Sequence, residues 1–262
     1  MIAIILLIIC LMASSVGAVV GAGGGVIIKP VLDMLGVLPV STVSFCSGCT
    51  VLGMSVCSLI RNRNDGVKLQ LKTSTALAIG AVTGGLVGKW LFELVKNGFG
   101  NERVLGAVQA VFLTLITFGV FLYVCNKDKL PSKNVKSVLA AVVIGVFLGI
   151  ISSFLGIGGG TSNVAVLFFF FSMEAKQAAK NSLYIIIFSQ ISSIILALTT
   201  GSVPSFEWIH LLCMVVGGVG GALIGANISK RIDNKGVEKV LKALLIVIIL
   251  IDFYNVLKFT IL

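Results

Sequence analysis

Of the 262 residues, 57% are apolar and only 11% are charged, and the mean hydropathy is +1.11. Soluble globular chains average about a quarter charged, so too few polar side chains are present to cover a water-facing surface, which excludes a water-soluble enzyme or domain. The net charge of +10 does not point to nucleic acid: the basic residues sit in short loops beside apolar segments and no RNA- or DNA-binding motif accompanies them.

In chain order, the sequence opens on residues 2–28 without a charge, long enough to span a bilayer. A signal peptide is not the expectation, because no basic region precedes the apolar run and the same pattern recurs in mid-chain. The first apolar unit covers 2–37 and is interrupted at Gly21–Gly25. Spans follow over 40–60, 73–96 and 104–125. The stretch 126–136, with Lys127, Lys129, Lys133 and Lys136, is the most polar in the chain and reads as a cytoplasmic linker. A second interrupted unit covers 137–172, broken at Gly156–Gly160, followed by spans over 177–199, 207–228 and 237–260. All are expected to be helical, since a lone span in lipid satisfies its own backbone hydrogen bonds.

The two halves, 1–125 and 137–262, repeat one another. Gly21-Ala22-Gly23-Gly24-Gly25 answers Gly156-Ile157-Gly158-Gly159-Gly160 at an offset of 135. Gly84-Gly85 with Gly88 answers Gly220-Gly221 with Gly225, and Glu102-Arg103-Val104-Leu105 answers Glu238-Lys239-Val240-Leu241. Three collinear matches indicate a duplication. Charge selects its sense. Three loops are rich in Lys and Arg, carrying Arg61, Arg63, Lys68 and Lys72, then the linker lysines, then Lys230, Arg231, Lys235 and Lys239. If each broken unit crosses once, the third loop lies opposite the other two. If each enters and returns as a hairpin, all three are cytoplasmic, as the positive-inside rule favours. The expected fold is therefore all-α and polytopic: two inverted repeats, each a glycine-broken helical hairpin plus three transmembrane helices, in the cell membrane, with both termini extracytoplasmic.

Inverted repeats with broken helices are a recurrent transporter plan. At a break, backbone N–H groups lose their partners and the following arm presents its positive dipole end. Glycine lets a ligand approach closely, so Gly23, Gly24, Gly25, Gly158, Gly159 and Gly160 form candidate anion nests. Three consecutive glycines cost about 1 kcal/mol each relative to alanine in a helix, and a packing seam would space them every fourth residue, as Gly84-Gly88 and Gly217-Gly221-Gly225 do. Thr161, Ser162 and Asn163 add side-chain donors after the second break. Lys29 is read as counter-charge to the substrate, or else as a lysine snorkelling to the interface or pairing with Asp33 on the same helical face. Ser47, Asn181 and Ser182, at matching repeat positions on the spans after the broken units, are substrate contacts or helix-to-helix bonds. Six cysteines lie in apolar segments; Cys46 and Cys49 have a C-x-x-C spacing, with His210 the one histidine of the chain, so packing is the expectation for them and no metal or cofactor is expected.

The paired Gly-x-Gly-Gly-Gly motifs, the first followed by apolar residues and Pro30, resemble the sulfite exporter TauE/SafE family over essentially the whole chain. The resemblance implies a membrane permease for sulfite, sulfoacetate or another small organosulfur anion. The chain departs from the family where the second motif is followed by Thr161-Ser162-Asn163 and where Ser44–Ser47 and Ala178–Ser182 replace the usual small-x-small-Thr-Ser element. The expected function is a secondary transporter for a small anion held between the two breaks, with an anion channel as the alternative. A membrane enzyme is disfavoured because Glu93, Glu207, His210 and Asp252 are scattered. The expected partners are the anion, the bilayer, a coupling ion (proton or sodium, with Asp33, Asp252 and His210 as candidate carriers) and a second copy in a homodimer, with no nucleic acid.

Overall fold

The structure, a computed structural model, describes residues 2–129 and 131–260. Lipid offers the backbone no hydrogen-bonding partners, so each apolar segment closes its own ladder, and among the described residues all regular structure is helical. The helices are α1 (Ile2–Val20), α2 (Gly25–Leu35), α3 (Val40–Arg61), α4 (Leu71–Phe99), α5 (Glu102–Asn126), α6 (Val138–Leu155), α7 (Gly160–Phe171), α8 (Ala175–Thr199), α9 (Trp208–Arg231) and α10 (Asn234–Thr260), with a 3₁₀ turn at Lys127–Lys129. Eight of these are long and apolar enough to cross a membrane; α2 and α7, at 11 and 12 residues, are not. The protein is a multi-pass membrane protein. Its outer surface agrees: Ile4, Leu115, Leu139, Phe147, Val216 and Leu250 lie exposed on five different helices, as lipid-facing side chains do.

Hydrogen bonds between helix ends fix which termini lie together. Lys230 donates to the Arg61 carbonyl, Lys180 to the Asn62 carbonyl, the Lys176 amide to Asn234, and Lys127 to Glu238. The basic loops therefore gather at one end of the bundle. The Lys133 and Val135 amides donate to the Phe169 and Phe170 carbonyls, which brings the end of α7 to this same basic end. At the opposite end Thr42 donates to the Ser205 carbonyl, Ser41 to Glu102, and Lys258 to the Asp33 and Met34 carbonyls.

The first broken unit turns back on itself. Leu6, Cys10 and Ala13 of α1 pack with Ile28 and Leu32 of α2 in one buried cluster, and α2 ends beside the C-terminal residues of α10.

The glycines spaced every fourth residue are seams. Gly217, Gly221 and Gly225 of α9 lie against the carbonyls of Leu7, Leu11 and Ser15 of α1, and Gly80, Gly84 and Gly88 of α4 against those of Val142, Val146 and Ile150 of α6. Both registers ascend together, so each pair runs parallel. Small residues let backbones approach this closely, which is how helices associate where no hydrophobic drive exists between them. The remaining contacts repeat on exchange of the halves: α3 packs on α9 as α8 packs on α4, α2 on α10 as α7 on α5, while α3 meets α8, α5 meets α10 and α2 meets α7.

Candidate functional site

Helices α1 and α6 stop in the same way. Gly21 and Gly156 take left-handed conformations, with φ of 71° and 66°, which glycine alone adopts without strain. The next amide folds back five residues: Ala22 donates to the Gly17 carbonyl at 3.1 Å and Ile157 to the Ser152 carbonyl at 3.3 Å, the paired geometry of a Schellman cap. A second left-handed glycine follows in each break, Gly23 at 66° and Gly158 at 78°. The breaks then diverge. Gly24 has an ordinary φ of −67°, whereas Gly159 and Gly160 are at 90° and 46°.

The two breaks meet. Gly25 lies against the Ile157 carbonyl, and Gly160 lies against the Ala22 carbonyl and the Val26 side chain. Both sit between α3 and α8, where Val51 contacts Gly23, Gly25 and Gly158, Ile186 contacts Gly23, and Gln190 approaches Gly158. The first-turn N–H groups of α2 and α7 have no acceptors within their own helices, and both positive helix ends converge on this contact. Such an arrangement can hold a negatively charged ligand through main-chain donors without a fixed cation.

A cavity flanks the contact on each side. Toward the basic end, about 110 Å³ is lined by Ala18, Asn62, Ala179, Lys176, Lys180 and Lys230 among others. Toward the opposite end, the lining of about 40 Å³ includes five hydroxyls and an amide, Ser41, Ser44, Ser152, Ser153, Ser193 and Gln190, together with Lys89, Phe45 and Phe92. The 62–67 loop lines the first, where Lys180 Nζ donates to Asn62 O at 2.6 Å, Asp65 Oδ1 at 2.6 Å and Val67 O at 3.0 Å.

The candidate side chains separate into those at the contact and those committed elsewhere. Ser47 donates to the Gly156 carbonyl at 2.9 Å and so braces the second break. Ser162 turns back to the Gly159 carbonyl at 2.5 Å, and the Asn163 side chain lies beside Gly159 with its Oδ1 unpartnered. Thr161 is buried, and Ser182 is buried with no partner for its hydroxyl. Asn181 instead accepts from the Gln70 amide and from Ser74 Oγ, tying α8 to the start of α4. Lys29 points to Asp33, at 2.6 Å, on the face of α2 that meets α10. Three features had gone unread in the sequence. Met54 accepts the Gly24 amide on its sulfur at 2.9 Å, a role that a methionine in an apolar helix does not advertise. Val51 is a plain core residue by pattern. Lys180 and Asp65 lie on either side of the chain's midpoint, and no local spacing links them. The cysteines are free thiols, and no group of three metal-ligating side chains occurs among the described residues.

An all-helical bundle with eight membrane-length helices and two touching glycine breaks defines a polytopic membrane protein of the transporter class. The chain belongs to the family described as Sulfite exporter TauE/SafE, whose profile it matches over residues 6–251. It is 23% identical to the probable membrane transporter protein YunE of Bacillus subtilis (strain 168), over 94% of this chain and 95% of that protein. It is 24% identical to the probable membrane transporter protein YjnA of the same organism, over 91% of this chain and 96% of that one. The sulfate permease CysP, also of that organism, is 28% identical over 61% of this chain and 41% of its own length. No solved structure matches the chain.

Proposed function

We propose that this membrane transporter is a secondary carrier for a small sulfur oxyanion, sulfite or an organosulfonate such as sulfoacetate, bound where the two glycine breaks meet. The observation that carries this reading is the direct contact of two positive helix ends, Gly25 against Ile157 and Gly160 against Ala22, with a separate cavity on either side. Main-chain donors suit an oxyanion, whose several acceptor oxygens each take an N–H. Membership of the sulfite exporter family and likeness to a protein named sulfate permease support a sulfur-containing substrate.

The same reading takes the halves as inverted repeats, with the basic end cytoplasmic and both termini outside. The charge of the loops supports that orientation, and so does the exchange symmetry of the helix contacts. A channel would share the site, but the closed contact between two separate cavities favours a carrier that exposes the breaks alternately.

The test is reconstitution into liposomes with sulfite, sulfate, sulfoacetate, taurine and carboxylates. Saturable uptake and counterflow of at least one sulfur oxyanion are expected. Carriage of none of these anions sinks the reading, and non-saturating conductive flux makes the protein a channel.

A further inference from the structure

The break in α1–α2 is followed, one helical turn into α2, by a charged cluster that the anion site does not use. Lys29 is 2% exposed, Asp33 7% and Asp252 1%. Lys29 Nζ donates to Asp33 Oδ2 at 2.6 Å. Asp252 enters from α10, which packs on α2, one turn before the residue that bonds the backbone next to Lys29. Neither oxygen of Asp252 has a hydrogen-bond partner, nor does Asp33 Oδ1. Asn255, one turn further along α10 and 1% exposed, donates to the Pro30 carbonyl at 2.8 Å and leaves its own Oδ1 unpartnered. Four acceptor oxygens thus lie buried on the packed faces of α2 and α10 without a hydrogen-bond partner.

The remaining charges nearby are spoken for. Lys258 caps the end of α2 through the Asp33 and Met34 carbonyls. Glu102 of α5, which also acts on Asp33, accepts from the Ser41 amide and hydroxyl. Arg103 donates to the Phe259 carbonyl. Helix α1 carries no charged residue, and the two lysines of α8 lie at the basic end of the bundle, Lys176 held by its backbone amide to Asn234 and Lys180 by its ammonium to the 62–67 loop. The cluster therefore holds one positive and two acidic groups. An uncompensated carboxylate in such a place is costly, and intramembrane ionisable residues of this kind mark ion and proton pathways.

We infer that Lys29, Asp33 and Asp252 form one proton-binding site whose occupancy is coupled to anion binding at the breaks, an inference that rests on the carrier reading above. The proton forms an O–H bond on a carboxylate oxygen, taken from water on one side of the membrane and returned on the other, with no redox change. A proton fits better than a metal cation because it neutralises a carboxylate without setting a second full charge beside the Lys29 ammonium. The sign follows. Gly25 lies four residues before Lys29, about 6 Å along the helix axis. With no proton bound, the cluster carries a net negative charge that opposes an anion across a low-dielectric medium. With the proton bound, that opposition is gone. Anion and proton bind together, so transport is symport and anion affinity rises as pH falls.

The experiment compares the full-length protein with Asp252→Asn, which keeps the side-chain shape. In liposomes carrying whichever sulfur oxyanion the wild type transports, an inward proton gradient accelerates uptake and an outward gradient slows it. In D252N the response of uptake to the proton gradient is lost. D252N that keeps its gradient dependence overturns the inference, as does wild-type uptake driven by a sodium gradient and indifferent to protons. An independent readout needs no substrate: pH-difference infrared spectra of the purified protein show the carbonyl stretch of a buried carboxylic acid, and D252N lacks it. A band that survives the substitution overturns the proton site even if no anion were carried, and its loss supports the site even if the anion reading fails.

Discussion

Glycine serves two purposes in this chain, and the residue scale separates them. At Gly158 the backbone is left-handed, with φ of 78°, and an added Cβ would stand 2.8 Å from Val51 Cγ1. Gly158→Ala meets a conformational cost of about 1–2 kcal/mol, and it reshapes the break where the anion is proposed to sit. At Gly221 the helix is regular, but a Cβ would meet the Leu11 carbonyl and the Ser14 side chain. Gly221→Ala pushes α9 off α1 and costs about 1–3 kcal/mol of overpacking. Gly119 faces open space on α5, and Gly119→Ala gains up to about 1 kcal/mol of helix propensity. Thermal melts and anion binding per folded molecule should therefore part company. Gly158→Ala loses binding by tenfold or more with a modest drop in Tm, Gly221→Ala loses Tm with binding intact, and Gly119→Ala loses neither. Equal loss of binding in the first two would reduce both breaks to packing. The glycine runs were legible in the sequence because three adjacent glycines have no packing rationale. The Lys29–Asp33 pair was legible from its four-residue spacing. Asp252 was not assignable to it, because its neighbours come from α2, over two hundred positions earlier.

At the scale of elements, the helices fall within about three residues of the spans read from hydropathy, since length and the absence of charge define a membrane helix almost alone. The differences lie at polar ends. α4 starts at Leu71 and runs to Phe99, and α10 begins at Asn234; both take in basic or polar residues whose side chains reach the aqueous edge while their backbone stays helical. Hydropathy does not register the loop between α3 and α4 as anything but exposed. Yet this loop is where Lys180 converges on Asn62, Asp65 and Val67, lining the cavity on the basic side. Lys180→Met retains the apolar stem and deletes the three bonds. The 62–67 loop should then open more often, so that a cysteine placed at Ala179, beside Gly21, reacts several-fold faster with a water-soluble thiol reagent added from the basic side. An unchanged rate would mean that the loop is not what closes this cavity. The reagent must be used in a background lacking Cys57, which lies on α3 one turn before Arg61.

For the whole molecule, the two halves do not fold as neighbours but as interleaved partners: each half's first helix is seated on the other's α4-type helix through a glycine seam, α1 on α9 and α6 on α4. The sequence pattern points to two halves, but not to how each completes the other, because the seam glycines of one half lie against carbonyls of the other and no pattern within a half records this. Bonds between helix ends set which loops share an end. Arg61 with Lys230, Asn62 with Lys180 and Lys127 with Glu238 place the basic loops together, while Thr42 with Ser205 and Arg103 with Phe259 join the other termini. Single cysteines introduced at Ser132 and Gly66 should therefore react from one side of the membrane, and those at Ser202 and Asn101 from the other, in cells where an impermeant reagent reaches only the outer face. With the basic end cytoplasmic, Ser202→Cys and Asn101→Cys are labelled in intact cells, and Ser132→Cys and Gly66→Cys only after permeabilisation. The reversed pattern would keep the fold and invert its orientation. Labelling that divides Ser202 from Asn101 would break the inverted arrangement itself, because the α4–α5 and α8–α9 loops share an end only if the glycine-broken unit between them returns to the side it entered.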